Sequence, residues 1–126
     1  MIDYLQKFRL DEKTTFVVGG LGLIGREVST AFGSAGAKVV ILDSLSEKGR
    51  AFEKELLYAK YVAHFRPFDC GDLQTLESNF SRLLDEFGSP DVFINCSYPR
   101  TEDWGKSSFR EVTLASFQEN VDIHMN

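Results

Sequence analysis

The sequence predicts an α/β fold in which helices cover both faces of a doubly wound parallel sheet. Four runs of apolar and β-branched residues begin near Thr15, Lys38, Tyr61 and Asp91, with room for one helix between successive runs. The runs are continuous rather than alternating, which is typical of strands buried on both faces. Because right-handed crossovers join strands that alternate with helices, the sheet is parallel. We expect about four strands in one domain, with the sheet incomplete at its C-terminus.

Three helices are predicted between these strands. The first spans about residues 22–35 and has Gly36 at its C-terminal cap. The second begins at Ser46 as its cap and runs to about residue 60, and the third spans 72–87 with Asp72 as N-cap. The residues expected to face the core are Ile24, Val28, Ala31, Phe32 and Ala35 in the first helix, Phe52, Leu56 and Ala59 in the second, and Leu73, Leu76, Phe80, Leu83, Leu84 and Phe87 in the third.

The final segment, 109–126, is predicted to form a helix that the sequence interrupts before any stop signal. Apolar residues recur there at helical spacing, and nothing after them in the sequence would cover them. We therefore expect the chain to form a homo-oligomer through residues 109–126. The apolar residues of the segment are Val112, Leu114, Phe117, Val121 and Met125.

Composition narrows the classes of partner and compartment. The 126 residues include 14 Lys and Arg against 19 Asp and Glu, so the net charge of −5 is of the wrong sign for a nucleic-acid-binding protein. The sequence has no signal peptide and no apolar run of membrane-spanning length. Cys70 and Cys96 lack the spacing of a metal site, so we expect reduced thiols, no metal and a cytoplasmic protein.

The first strand-to-helix turn carries the pattern G-x-x-G-x-x-G. Glycine permits a tight turn, lets backbone N–H groups approach a pyrophosphate, and lets the helix pack close to the sheet. The positive end of the helix dipole favours an anion at the same place. The pattern predicts a dinucleotide site that includes Gly19, Gly22, Leu23, Ile24 and Gly25. The alternative is that these glycines only make a sharp turn.

Asp43, at the end of the second strand, is predicted to accept hydrogen bonds from the adenosine ribose hydroxyls. Its charge would repel a 2′-phosphate, so the sequence favours NAD as cofactor. Lys48 and Arg50 lie close by in sequence and keep NADP open. The alternative for Asp43 is a loop aspartate that caps the next helix.

The third and fourth strands are followed by further candidate cofactor-binding residues. Asp69 and Cys70 follow the third strand, where Asp69 is placed for the adenine edge, and Asn95, Cys96, Ser97 and Tyr98 follow the fourth. Ligands of open α/β sheets bind at the carboxyl ends of the strands. All of these residues are therefore expected to converge on one crevice.

These motifs, together with the lead-in Phe8-x-Leu10-x-x-Lys13, resemble the N-terminal half of short-chain dehydrogenases/reductases. Tyr98-Pro99-Arg100 adds a resemblance to bacterial members that serve flagellin modification and surface-sugar biosynthesis. The resemblance implies that residues 1–126 are the Rossmann-type, NAD(P)-binding half of an oxidoreductase that transfers a hydride to or from a sugar-like alcohol or ketone. The alternative is a dinucleotide-binding or interaction module that stands alone without turnover.

The resemblance also implies a Tyr-x-x-x-Lys pair, in which the lysine lowers the pKa of the tyrosine for proton transfer. None of the four tyrosines is followed by lysine at that spacing, so we expect this chain alone to be inactive, with the catalytic half absent. His124 takes the place of an asparagine that joins the family's catalytic group. It is a candidate proton relay or, alternatively, a surface histidine; His64 is predicted to be a core residue.

Overall fold

The computed structural model describes residues 1–106 and 108–125. A short 3₁₀ helix, Tyr4–Phe8, precedes four strands and four helices that alternate along the chain. These elements are β1 (Thr14–Val18), α1 (Leu23–Ser34), β2 (Lys38–Asp43), α2 (Ser46–Tyr58), β3 (Val62–Pro67), α3 (Leu76–Phe87), β4 (Val92–Asn95) and α4 (Leu114–Met125).

The four strands form one parallel sheet in the order β3-β2-β1-β4. Thr15 lies opposite Val39 on one side and Val92 on the other. The chain first builds outward from β1 to β3 and then crosses to β4 on the other side of β1. The predicted doubly wound sheet is therefore confirmed. Its switch point lies between β1 and β4, where open α/β sheets bind ligands.

Two apolar layers cover the sheet, as strands buried on both faces require. The core residues of the layer beneath α1 and α2 are Val17, Val39, Ile41, Phe52, Leu56, Ala63 and Phe65. The core residues of the layer beneath α3 are Phe16, Val18, Val40, Leu42, Phe68 and Leu83. The two cysteines are half-buried and free, and each packs against one of these layers.

The predicted inward face of α1 is wrong in part. Gly25, Ser29 and Gly33 are the buried residues of this helix, whereas Ile24 is 71% exposed. Ala31 is exposed as well, whereas Val28 and Phe32 pack against the core as predicted. Small residues form the face of α1 that lies against the sheet, so the helix can approach it closely. A β-carbon on Gly33 would come within 3.0 Å of the Tyr61 ring.

The predicted starts of α2 and α3 also need correction. Ser46 is the first residue of α2, after the N-cap Leu45, and the helix ends at Tyr58, which leaves Ala59 exposed as its C-cap. The third helix begins at Leu76 rather than near Asp72, because the Asp72 carboxylate accepts a hydrogen bond from the Gln74 N–H and forms a local turn instead.

The last helix is shorter than the predicted segment. α4 begins at Leu114, so Val112 precedes it, and Asn126 lies outside the described residues. No side chain of α4 is fully buried among the described residues, and Phe117 is 59% exposed. The apolar stripe predicted for this segment is therefore largely uncovered in the single chain.

Side chains cover the outer edge of β3 at Phe65. Its N–H donates to the Glu53 carboxylate of α2, and its carbonyl accepts from the Arg66 guanidinium. Arg66 also pairs with Glu86 of α3. Both outward backbone groups of Phe65 are thus satisfied without a further strand.

Candidate functional site

A cleft lies at the carboxyl edge of the sheet, where the switch point is. It consists of two cavities of about 350 and 490 Å³. The cavities are bordered by the glycine-rich turn, the β2–α2 loop and the loop after β4, and the smaller one also by the end of β3. The residues common to both are Gly19, Asp43, Leu45, Ser97, Tyr98 and Arg100.

Two glycines of the turn are required by the fold itself. Gly19 has φ +70°, and a β-carbon there would lie 2.6 Å from the Ser97 backbone nitrogen. Gly25 is buried, and a β-carbon on it would overlap the Gly19 carbonyl oxygen. These two positions bring β1, α1 and the loop after β4 together at the floor of the cleft.

Gly22 differs from these two because it is not needed for packing. A β-carbon there would meet only the Gly19 carbonyl oxygen, at an ordinary 3.6 Å. Gly22 is the N-cap of α1, and no side chain caps this helix end. Together with the exposed Leu23 and Ile24, it lines the larger cavity. The uncapped N-terminus facing open space fits the pyrophosphate of a dinucleotide.

Asp43 connects two loops of the cleft. Its carboxylate accepts hydrogen bonds from the N–H groups of Leu21, 3.2 Å away, and Leu45, 3.3 Å away. The second bond reaches the N-cap residue of α2, as in the alternative interpretation of Asp43. Both cavities nonetheless include this residue, and a carboxylate with two hydrogen bonds retains acceptor capacity.

The residues after β3 and β4 divide between the cleft and a neighbouring pocket. Asp69 and Cys70 line the smaller cavity, and the Asp69 carboxylate accepts from the Gly71 N–H. Ser97 lines both cavities. Asn95 lies instead in an apolar pocket beside α3, where its side-chain oxygen accepts from the Ser97 N–H and hydroxyl. Asn95 thus contributes to the cleft indirectly, because its hydrogen bonds to Ser97 stabilise the start of the loop after β4.

The sequence interpretation missed Arg100 as a residue of the cleft. It expected Tyr98 at the carboxyl edge of the sheet and Lys48 near Asp43. Lys48 lines the larger cavity, whereas Arg50 lies over the Phe65 ring on another surface. Tyr98 and Arg100 line both cavities. Both follow the fourth strand closely, but the sequence interpretation used Arg100 only to identify the family branch.

The loop after β4 is anchored to α4. The Asn120 side chain donates to the Thr101 hydroxyl, and the Thr101 hydroxyl donates to Asp103. Hydrogen bonds from Ser116 and Thr101 hold the pKa of the Asp103 carboxyl below its usual value. These hydrogen bonds hold the loop to α4.

His124 does not line the cleft itself but packs against Tyr98, which does. Its ring lies 4.2 Å from the Tyr98 ring, centroid to centroid. Its Nδ1 lies 2.8 Å from the Asn120 carbonyl and, since that oxygen only accepts, carries the proton. Its Nε2 is buried and has no hydrogen-bond partner among the described residues. The structure therefore places His124 behind Tyr98 and outside the lining of both cavities.

None of the helices in the described part of the chain combines the length and the apolar character needed to cross a bilayer.

Comparison with known proteins connects this cleft to one family. The family model described as short chain dehydrogenase matches residues 13–126. The chain is 25% identical to post-translational flagellin modification protein A of Campylobacter coli, over 92% of the chain and 46% of that protein. It is 26% identical to D-xylose 1-dehydrogenase of Caulobacter vibrioides, over 92% of the chain and 44% of that protein. The chain thus spans about half the length of these curated relatives.

Solved structures share the fold. A gluconate 5-dehydrogenase from Burkholderia cenocepacia, in complex with NADP and tartrate, superposes with a TM-score of 0.80 at 18% identity. The alignment covers 98% of this chain and 47% of that one. A 2-keto-3-deoxy-D-gluconate dehydrogenase from Streptococcus agalactiae gives a TM-score of 0.74 at 22% identity, over 94% of this chain and 44% of that one.

Proposed function

Because the chain belongs to the short chain dehydrogenase family, we propose that it is the NAD(P)-binding portion of an oxidoreductase that acts by hydride transfer on a sugar-like alcohol or ketone. The observation that carries this proposal is the cleft at the switch point, with an uncapped helix N-terminus on one side and the Asp43 carboxylate on the other. The sugar dehydrogenases among the relatives support the substrate class.

Each part of the cleft has a proposed role in binding. The backbone N–H groups that follow Gly22 at the start of α1 bind the pyrophosphate, where the helix dipole also stabilises its charge. Asp43 accepts from the adenosine ribose hydroxyls, and Asp69 and Cys70 border the adenine. Ser97 closes the cleft from the β4 side. Bound there, the nicotinamide would supply the hydride acceptor or donor of the reaction.

Asp43 favours NAD over NADP, since a 2′-phosphate beside its carboxylate would meet a like charge. Lys48 lines the same cavity and would partly offset that repulsion. We therefore propose NAD as the preferred cofactor, with NADP bound more weakly.

Proton transfer is not supplied by a Tyr-x-x-x-Lys pair within these 126 residues. We therefore propose that the chain alone binds the dinucleotide without turnover. His124 remains a candidate relay: its ring packs on Tyr98 of the cleft, and its Nε2 has no hydrogen-bond partner among the described residues. If the chain alone oxidises NADH with a sugar or ketone, and this activity disappears in His124→Ala, the proposal of binding without turnover is contradicted and the proton-relay role of His124 is supported.

Calorimetry with NADH tests the binding site. The unmodified chain should give saturable binding, and Gly22→Val should abolish it because the side chain enters the pyrophosphate position. Leu57→Val, on the exposed face of α2 away from the cleft, is the matched control and should bind as the unmodified chain does. Unchanged affinity in Gly22→Val, with both variants folded by circular dichroism, would refute the site.

We further propose that residues 109–126 form the interface of a homo-oligomer. The exposed apolar side chains of α4 support this, since burying each contributes up to about 1.5–3 kcal/mol. Light scattering over a dilution series should show a species heavier than 14.2 kDa. Phe117→Glu with Val121→Glu should give a monomer, whereas Leu5→Glu, at an exposed apolar residue near the N-terminus, should not. A monomer of the unmodified chain at every concentration would contradict the proposal.

A further inference from the structure

Arg100 is a cation of the cleft that forms no ion pair with a carboxylate of the described residues. It lines both cavities, and no ion pair to it occurs among the described residues. The carboxylates lining the cleft, Asp43 and Asp69, accept hydrogen bonds from backbone N–H groups instead. Lys48 lines only the larger cavity. The guanidinium is therefore available to a ligand in either cavity.

An aromatic stack holds Arg100 in place. Its guanidinium carbon lies 4.2 Å from the centre of the Trp104 ring, a cation–π distance. Trp104 meets the Tyr98 ring edge-on at 6.3 Å, and Tyr98 packs on His124 of α4. The Thr101 hydroxyl, which accepts from Asn120, lies in the same loop and anchors it. The side chain that lines the cleft is thus oriented before any ligand arrives.

We propose that Arg100 is an anion-binding residue that receives a phosphate or carboxylate group of the ligand in this cleft. A planar guanidinium presents paired N–H donors that match two oxygens of either group, and stacking leaves its edge free to donate. This proposal deepens the proposed function and rests on it for the identity of the ligand. The anionic group has two possible sources, the pyrophosphate of the dinucleotide or an acidic group on the substrate.

Trp104 is the single tryptophan of the chain and reports directly on this site. Its fluorescence should change saturably with inorganic pyrophosphate or with gluconate, a polyol that carries a carboxylate. Sorbitol, a neutral polyol, should give no such change. Calorimetry with the same probes supplies affinities that do not depend on emission from the stack.

Arg100→Gln should weaken binding of the responding anion at least tenfold, and Arg100→Lys should restore only part of it because the ammonium lacks the planar fork. Arg50→Gln is the matched control, because Arg50 is exposed, lies over an aromatic ring as Arg100 does, and lines neither cavity; it should leave the affinity unchanged. Circular dichroism establishes that each variant is folded.

Calorimetry with NADH then separates the two sources. A tenfold loss of NADH affinity in Arg100→Gln assigns the anion to the cofactor, whereas unchanged NADH affinity with loss of gluconate binding assigns it to the substrate. If NADH does not bind even the unmodified chain, the proposed function fails, while a pyrophosphate or gluconate response that depends on Arg100 would still support the anion site. If no probe distinguishes Arg100→Gln from the unmodified chain, or none binds, the anion site is refuted.

Discussion

Replacing Gly22 with serine should stabilise the folded chain and at the same time weaken dinucleotide binding. Gly22 is an N-cap with extended backbone angles and no side-chain cap, and a β-carbon fits there at 3.6 Å from its nearest neighbour. A serine hydroxyl would accept from an N–H of the first helical turn, worth a few tenths of a kcal/mol over glycine. This difference already includes the greater conformational freedom of glycine in the unfolded chain.

This gain should raise the melting temperature by about 1–3 °C. The same hydroxyl would occupy a donor that the pyrophosphate needs. Losing one hydrogen bond to a charged group costs about 1.5–3 kcal/mol, which corresponds to a roughly 10- to 150-fold rise in Kd. Thermal unfolding followed by circular dichroism and calorimetry with NADH measure the two effects on the same sample of Gly22→Ser.

Gly25→Ala is the matched control at the other end of the turn. Its methyl group would overlap the Gly19 carbonyl oxygen, so it should lower the unfolding free energy by at least about 1–3 kcal/mol. A stable Gly22→Ser chain that binds NADH with unchanged affinity would refute the pyrophosphate position. A Gly22→Ser chain that melts below the unmodified chain would refute the argument from capping.

The unfolding free energy should fall as the pH drops below about 6.5, because burial and Arg66 lower the pKa of His64 in the folded chain. As the pH falls, the unfolded chain binds a proton at His64 before the folded chain does, so the unfolding free energy decreases between pH 6.5 and the lowered pKa of His64 in the folded chain. In urea unfolding at a series of pH values, His64→Phe should lose less of its unfolding free energy over this range than the unmodified chain. Asp43→Ala should narrow the preference for NAD over NADP in calorimetry, since a charge-assisted hydrogen bond contributes about 1.5–3 kcal/mol; tighter NADP binding by the unmodified chain would contradict this. Leu83→Ala should lower the unfolding free energy measured in urea by about 2–5 kcal/mol, because the Leu83 side chain is only 5% exposed. A decrease below about 1 kcal/mol would mean that the layer beneath α3 rearranges to fill the space left by the leucine.

The strands and the glycine-rich turn could be predicted because their signals are local. A continuous apolar run such as Lys38–Asp43 identifies a strand buried on both faces, and parallel strands share one carboxyl edge. Asp43 and Ser97 therefore had to lie near the same turn. Their meeting in one cleft follows from topology rather than from any detail of packing.

Helix faces and helix starts were harder to predict because they depend on competition between neighbours. Ile24 has the spacing of an inward residue, but small residues such as Gly25 and Ser29 form the face of α1 that is buried against the sheet, and Ile24 lies 71% exposed. Asp72 has the chemistry of an N-cap, but its carboxylate closes a turn with Gln74 first. Neither outcome can be derived from residue type alone.

Arg100 could not be assigned to the cleft from the sequence because its position depends on a loop. Its orientation comes from Trp104, four residues further on, and from the contact of Tyr98 with α4. Such contacts across a loop have no periodic signature. A charged residue after a parallel strand is therefore a useful signal only once the path of the following loop is known.

The covering of β3 at Phe65 affects where a further strand can pair with this sheet. A free strand edge offers unpaired N–H and C=O groups as a template for another chain, and natural proteins block such edges with charged side chains. Glu53 and Arg66 occupy both outward groups of Phe65, so an incoming strand would have to displace two charged side chains from their hydrogen bonds. Pairing of another strand with β3, whether from this polypeptide or from an aggregating neighbour, is thereby disfavoured at Phe65.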